Sequence, residues 1–298
     1  MPDERIPILL DTDIGSDIDD AVCLAYLLCQ PRCQLLGITT VTGEPDRRAM
    51  LADAICRAAG RPDVPIHAGA AQPLLAPVRQ PHAPQASILD RWSHRQKFPP
   101  NTAVDFLRGA IRHQPGEVIL LSLGPFTNVG LLFALDPEIP SLLRGYVSMG
   151  GVFTRRIAGA PLREWNVLND PHAAAIAYRT KAPHHLSVGL DVTLRCRLPA
   201  DECRRRFQGG PLDVVGSAAE VWFQGRSQVT FHDPLAGVLI FHPEICQYED
   251  GLVDVELMNE NDLGMTRWHP APEEKPHRVA VDVNPEAFFA EYFSVFGR

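Results

Sequence analysis

Five aspartates, Asp11, Asp13, Asp17, Asp19 and Asp20, fall within ten residues of the segment Leu9-Leu10-Asp11-Thr12-Asp13-Ile14-Gly15-Ser16-Asp17-Ile18-Asp19-Asp20-Ala21. Carboxylates packed this closely repel one another, and burying them together costs free energy unless a cation offsets the charge. An all-oxygen donor set of this kind suits a hard ion, Ca²⁺ or Mg²⁺. Asp17 or Asp19 could cap the helix that follows, but capping does not account for five aspartates. The spacing is not that of an EF-hand loop: Gly15 and Ser16 stand where a ligand and the obligatory glycine belong, and Val22 where the bidentate glutamate belongs. Gly15 also occupies the place of the Thr or Val that follows Asp-x-Asp in aspartyl-nucleophile phosphatases. Walker A, GxGxxG, HExxH and GxSxG patterns are absent from the chain.

Three later segments set polar groups just after a strand or at the start of a helix. Leu123-Gly124-Pro125-Phe126-Thr127-Asn128 follows an apolar run, and taken alone its Thr or Asn reads as a helix cap. Glu164 and Asn166 are spaced i and i+2, so an extended chain would aim both side chains the same way. Asn169-Asp170-Pro171 has the form of a cap with proline at the first helical position. His232-Asp233-Pro234 precedes an apolar helix in the same manner.

The elements that must position these groups are legible from periodicity. Strands are expected at Ile6–Leu10, Leu35–Val41, Val64–His67, Val118–Leu123, Tyr146–Met149, His185–Leu190, Val253–Glu256 and Val279–Val283. Helices are expected at Asp19–Gln30, Arg47–Ala59, Ala103–His113, Asn128–Leu135, Pro171–Tyr178 and Glu286–Phe296. Continuous apolar strands alternating with helices imply a mostly parallel, doubly wound (Rossmann-like) α/β sheet with helices on both faces. In such a sheet ligands bind beyond the carboxyl ends of the strands, where the aspartate cluster falls. Three irregular stretches interrupt the rhythm: the proline-rich Gln72–Pro100, Phe153–Arg163 and the polar Asn259–His277. Loops of this length are usually functional. A single domain over residues 1–298 with elaborated active-site loops is the expected organisation.

Composition narrows the class further. Lys and Arg number 28 against 36 Asp and Glu, a formal charge of −8, which argues against nucleic acid or an anionic membrane as a partner. Hydrophobic content of 45% with 21% charged residues is that of a globular protein. No basic segment followed by a long apolar run follows Met1, and no stretch approaches the ~18 apolar residues of a membrane span. The seven cysteines form no CxxC pair and read as reduced thiols, so a cytoplasmic location is expected.

At this point the motifs carry a family resemblance. The segment Asp11–Ala21 resembles the amino-terminal signature of the inosine–uridine-preferring nucleoside hydrolases. Gly37-Ile38-Thr39-Thr40-Val41, Leu123–Asn128, Met149-Gly150-Gly151, Glu164-Trp165-Asn166, His232-Asp233-Pro234 and the ending Arg278–Val283 with Phe288-Phe289 are similar as well, in family order over almost the whole chain. The resemblance implies hydrolysis of the N-glycosidic bond of ribonucleosides to ribose and free base with a bound Ca²⁺, in a homo-oligomer (dimer or tetramer). By resemblance, Asp13, Asp20 and Asp233 supply carboxylates to the ion and Thr127 its main-chain carbonyl. Asp19, Glu164 and Asn166 would bind the ribose hydroxyls and Met149 would line the sugar pocket. Asp13 is then the general base toward water, and His232 the candidate acid for the departing base.

This chain departs from the family pattern at several points. Ile14 replaces a proline and two residues are added before Asp19, so Asp17 could take a ligand or ribose role instead. Glu44 stands where an asparagine that contacts the sugar is usual, and His82 is the residue that could take the place of the absent His-Gly element. Arg155, Arg156 and Arg163 occupy the region of an asparagine expected near the 5′-hydroxyl, and would favour an anionic substituent if they faced the pocket. Trp92 or Trp222 could stack on a base or serve the core. Two alternatives remain: a hydrolase of a modified or phosphorylated riboside, and a Ca²⁺- and ribose-binding protein without turnover.

Overall fold

A computed structural model describes residues 5–154, 157 and 159–297. Its first half alternates β1 (Ile6–Thr12), α1 (Asp19–Cys29), β2 (Cys33–Thr40), α2 (Pro45–Ala58) and β3 (Ile66–Ala68). After a long connection holding a 3-10 helix at Pro84–Arg91 come α3 (Ala103–His113), β4 (Ile119–Ser122), α4 (Thr127–Leu135), α5 (Ile139–Leu142) and β5 (Gly145–Met149). There follow α6 (Trp165–Asn169), α7 (Pro171–Arg179), β6 (His185–Val188), α8 (Leu190–Thr193), β7 (Arg197–Pro199), α9 (Ala200–Arg206), α10 (Pro211–Trp222) and β8 (Gln228–Thr230). The chain closes with α11 (His232–Leu239), β9 (Cys246–Val255), β10 (Thr266–His269), β11 (His277–Val283) and α12 (Pro285–Ser294).

Nine strands form one sheet in the order β10-β9-β11-β6-β5-β4-β1-β2-β3. From β3 to β11 every neighbouring pair is parallel, and β9 and β10 add an antiparallel edge. Strand order reverses between β1 and β4, which opens a crevice at their carboxyl ends. β1 is buried along its whole length, as a central parallel strand covered on both faces must be. One apolar core lies on the face covered by α1, α2, α10, α11 and α12, the other on the face covered by α3, α4 and α7.

The single α/β domain and the parallel sheet agree with the sequence reading. The carboxyl-terminal edge differs from it. The strand expected at Val253–Glu256 is the ten-residue β9, whose start, Cys246-Gln247-Tyr248-Glu249-Asp250, is too polar to signal a strand and is held by its antiparallel ladder with β11. The polar insert Asn259–His277 contains β10, which pairs only with β9. Glu164 is extended as the N-cap of α6, whereas Asn166 is the second residue of that helix, so the two do not share one extended stretch. Among the described residues no helix is long and apolar enough to cross a membrane.

Candidate active site

The aspartate segment crosses from the end of β1 to the start of α1 at the crevice. Gly15, with φ of +118°, turns the chain there, and Asp19 and Asp20 enter the first turn of α1, where the helix dipole favours negative charge. Asp19, Asp20 and Asp233 each bring a carboxylate oxygen within 4.8 Å of the others, and all three are buried. Asp19 Oδ2 accepts the backbone N–H of Asp233 at 3.0 Å, which pins the start of α11 against α1. The Thr12 hydroxyl donates to Asp20 Oδ1, and the backbone N–H of Ile14 donates to that hydroxyl at 3.1 Å.

Asp13, Asp17, Asp19, Asp20, Glu164 and Asp233 line one cavity of about 590 Å³ together with Met149, Asn166 and His232. Burial pushes the carboxyls of Asp13, Asp19, Asp20 and Asp233 upward; repulsion from neighbouring aspartates adds to it at Asp19, Asp20 and Asp233, whereas Arg48 opposes it at Asp13. Asp17 is raised to about 6 and Glu164 to about 7, again chiefly by burial. The cation beneath the cluster is Arg48, fully buried on α2. Its Nη1 donates to the carbonyls of Asp13 and Ile14 and to Ser16 Oγ, Nε to the Thr42 carbonyl at 2.8 Å, and Nη2 to the His82 carbonyl at 3.3 Å. Arg48 below the cluster and Arg163 and Arg226 in the cavity wall are three cations against six carboxylates, and the negative charge left over is one that a hard divalent ion fits.

Asn166 Nδ2 donates to the Leu123 carbonyl at 2.5 Å and the Met149 carbonyl at 3.2 Å, which fixes the amide and directs its oxygen away from those two groups. The Glu164 carboxylate accepts from the backbone N–H groups of Asn166, Val167 and Gly151. His232 Nδ1 meets Thr193 Oγ1 at 2.7 Å, and burial, then the nearby Arg197, lowers its pKa to about 4. Thr127 opens α4 and its hydroxyl donates to Asp170 Oδ2 at 2.7 Å; it is not among the residues lining the cavity. Gly124 packs so close to Asp13 that a Cβ there would lie 2.8 Å from Asp13 Oδ1.

Two expected sugar contacts stand apart from the cavity. Glu44 Oε2 accepts the N–H of Ala83 at 2.9 Å, and the largely exposed His82 ring lies 3.8 Å from the same carboxylate. The two hold the 80–85 segment beside the turn at Thr42-Gly43, where φ is +70° and +60°, and neither is among the residues lining the cavity. Gln80 is the residue of that segment that reaches the cavity. Its Oε1 accepts from Trp165 Nε1 at 2.6 Å. Neither Gln80 nor Arg48 carries a sequence signal, since a lone glutamine in a proline-rich loop and one arginine among several on a helix match no pattern. Trp222 lines the cavity, whereas Trp92 packs against the core. Arg163 lines the cavity; Arg155 and Arg156 lie outside the described residues.

The sequence model of the inosine-uridine preferring nucleoside hydrolases matches residues 8–290. The chain belongs to this family. It is thus a glycosidase acting on N-glycosyl compounds, of the family that hydrolyses ribonucleosides. Among its relatives, a pyrimidine-specific ribonucleoside hydrolase from Klebsiella pneumoniae is 30% identical over 95% of this chain and 96% of its own. A probable uridine nucleosidase from Oryza sativa is 27% identical over 90% of this chain and 86% of its own. A plant nucleoside hydrolase of solved structure superposes with a TM-score of 0.84 at 23% identity, covering 99% of this chain and 100% of its own, which shows the shared fold. A purine-preferring ribonucleoside hydrolase from Gardnerella vaginalis superposes with a TM-score of 0.82 at 23% identity over 97% and 98% of the two chains.

Proposed function

We propose that the protein hydrolyses ribonucleosides with a Ca²⁺ held by Asp13, Asp20, Asp233 and the Thr127 carbonyl. Asp19, within 4.8 Å of Asp20 and Asp233, is placed to share that ion or to take a ribose hydroxyl. The observation that carries the reading is that three buried carboxylates from α1 and α11 converge beside a cavity that Asp13 and His232 also line. Bound there, the cation supplies Lewis acidity toward water and an anchor for the vicinal hydroxyls of ribose.

The chain's own residues do the rest. Asp13 takes the proton of the attacking water as general base. Carboxylates around the sugar stabilise the positive charge that develops at C1′ as its bond to nitrogen lengthens. Asn166 is held through its amide nitrogen, so its oxygen is free to accept a ribose hydroxyl, with Glu164 beside it. With a pKa near 4, His232 is a neutral imidazole at pH 7. If Thr193 donates to Nδ1, the proton sits on Nε2 and His232 serves as a hydrogen-bond donor to the leaving base.

The test is release of reducing sugar from inosine, adenosine, guanosine, uridine and cytidine, before and after chelation, with Ca²⁺ titrated calorimetrically into the stripped protein. Sugar release that vanishes on stripping and returns with Ca²⁺ supports the reading. Stoichiometric Ca²⁺ binding without release from any riboside would sink it and leave the binding-protein alternative. Arg163 in the cavity wall favours a second reading, a riboside with an anionic 5′ substituent, which uridine 5′-phosphate in the same panel decides. A homo-oligomer and a cytoplasmic location belong to the same proposal, supported by the family resemblance and the reduced cysteines. Light scattering on the purified protein reads the first of them.

A further inference from the structure

Two walls of the cavity meet at the short helix α8. Its Asp191 accepts the backbone N–H groups of Phe153 and Thr154 at 2.7 and 2.8 Å and the Thr154 hydroxyl at 2.7 Å. The N–H of Leu190 donates to the Gly151 carbonyl at 3.0 Å, so α8 is tied to the chain that leaves Met149. Just beyond the helix, the Cys196 carbonyl accepts the N–H of Phe231 at 2.8 Å, which fixes the residue before His232. Leu190 and Leu194 line the cavity between the two walls. The last residue of α8 is Thr193, fully buried, and among the described residues its hydroxyl has one hydrogen-bond partner, His232 Nδ1 at 2.7 Å. A hydroxyl carries one proton, and burying that proton without an acceptor is costly. Nδ1 must therefore be the acceptor. It bears no hydrogen, and the single hydrogen of the ring sits on Nε2. The opposite tautomer would strand the Thr193 proton in the core and turn a lone pair toward the cavity that His232 lines.

We propose that Thr193 is a positioning residue for the hydrolysis: its hydroxyl, set in place by α8, holds His232 as the tautomer whose Nε2–H offers a hydrogen bond to the departing base. This rests on the reading of His232 as the donor to the leaving base. As the bond from C1′ to nitrogen breaks, its electron pair goes to the base, while water gives hydroxide to C1′ and a proton to Asp13. The Nε2 hydrogen is shared with the base and stays on the ring, and the base anion takes its proton from solvent. A donor fixed there before reaction stabilises the charge that the base acquires. The base must offer a lone pair beside the glycosidic nitrogen, as O2 of a pyrimidine or N3 of a purine does. A leaving group that is stable as an anion, such as p-nitrophenolate, has little need of the donor.

The experiment compares the wild type with Thr193→Val, which keeps the shape and removes the hydroxyl, and Thr193→Ser, which keeps the hydroxyl. Nitrogen NMR of histidine-labelled protein, with His232→Gln to assign the signals, reads which ring nitrogen carries the hydrogen. Nε2–H is expected in the wild type and in Thr193→Ser, and a mixture of tautomers in Thr193→Val. Steady-state kinetics are run on the best nucleoside and on p-nitrophenyl riboside. Thr193→Val is expected to lose about 10–10²-fold in kcat on the nucleoside with little change in KM, and far less on the nitrophenyl riboside. Thr193→Ser is expected to recover most of the nucleoside rate. A wild-type ring with its hydrogen on Nδ1 overturns the proposal. So does a Thr193→Val protein whose nucleoside kcat stays within twofold of the wild type, or one that loses equally on both ribosides, as a merely structural role would have it. If the wild type turns over no riboside, it is the nucleoside reading that fails, and the NMR comparison alone still decides whether Thr193 sets the tautomer.

Discussion

Replacing Arg48 by Met tests what keeps six carboxylates at one cavity. Met retains most of the length of the buried stem and removes the guanidinium with its hydrogen bonds to Asp13, Ile14, Ser16, Thr42 and His82. Stripping one partner from a buried charge arrangement typically costs about 3–5 kcal/mol. An independent count reaches the same scale: five hydrogen-bond partners lose a donor at about 1 kcal/mol each. Thr42 adds to this, because its carbonyl is one of those acceptors and its φ of +70° is a conformation a β-branched residue holds only when its surroundings impose it. We expect Arg48→Met to lose about 4 kcal/mol, a large part of the 5–15 kcal/mol that folded domains possess. Arg48→Lys keeps the charge but only part of the hydrogen-bond fork, and is expected to lose about 2 kcal/mol. Urea titration at pH 7.5 in chelator, followed by circular dichroism, measures both. A loss below about 1 kcal/mol for Arg48→Met at unchanged m would refute the view that this buried cation organises the aspartate loop.

Three further outcomes are expected. Gly124→Ala forces a methyl to within 2.8 Å of Asp13 Oδ1 and 2.9 Å of its backbone N, so turnover should fall by at least about 10²-fold while the protein still folds; near-normal kcat would show that Asp13 tolerates displacement. Asp170 joins Thr127, Leu74 and the first turn of α7, and Asp170→Ala should cost about 2–3 kcal/mol and weaken Ca²⁺ binding, since the start of α4 carries Thr127; titration calorimetry showing wild-type affinity would contradict the role of that carbonyl. Burial, partly offset by its hydrogen bond to the Tyr178 carbonyl, lowers the pKa of His277 from 6.5 to about 4, so the unfolded chain takes up the proton first as pH falls. The stabilisation is therefore whole above about pH 6.5 and shrinks between 6.5 and 4, by about 2 kcal/mol at pH 5. The wild type should lose that much more than His277→Gln between pH 7.5 and 5 in urea titrations, and equal losses would refute it.

How far the sequence could be read follows from the range of the interactions involved. Strands such as Ile6–Thr12 and helices such as Ala103–His113 announce themselves because burial on two faces, or on one stripe, imposes a period on neighbouring residues. Element boundaries were legible to within a few residues wherever that period was strong. The first half of β9 escaped because it lies beyond β10 and pairs with β11 alone, so it needs no apolar run, and α6 because a five-residue helix is made by the cap of Glu164, not by its period. The Asp170-Pro171 cap was legible because its hydrogen bond to Ala173 spans three residues.

The site divides along the same line. Charge repulsion alone makes a cation the expected companion of a carboxylate cluster at the end of a parallel strand, and the sequence by itself carried that expectation, along with the family. Which groups surround the cluster was decided by tertiary structure. Asp233 reaches Asp19 and Asp20 across more than two hundred residues, Arg48 reaches Asp13 from the next helix, and Gln80 brings a loop with no periodicity to the cavity and to Trp165. Glu44 and His82, set near the site by motif position, meet each other at the 80–85 segment and do not line the cavity. Local pattern records what a residue needs from its neighbours in the chain; a single long-range hydrogen bond of about 1 kcal/mol leaves no trace there, and the fold alone specifies its partner.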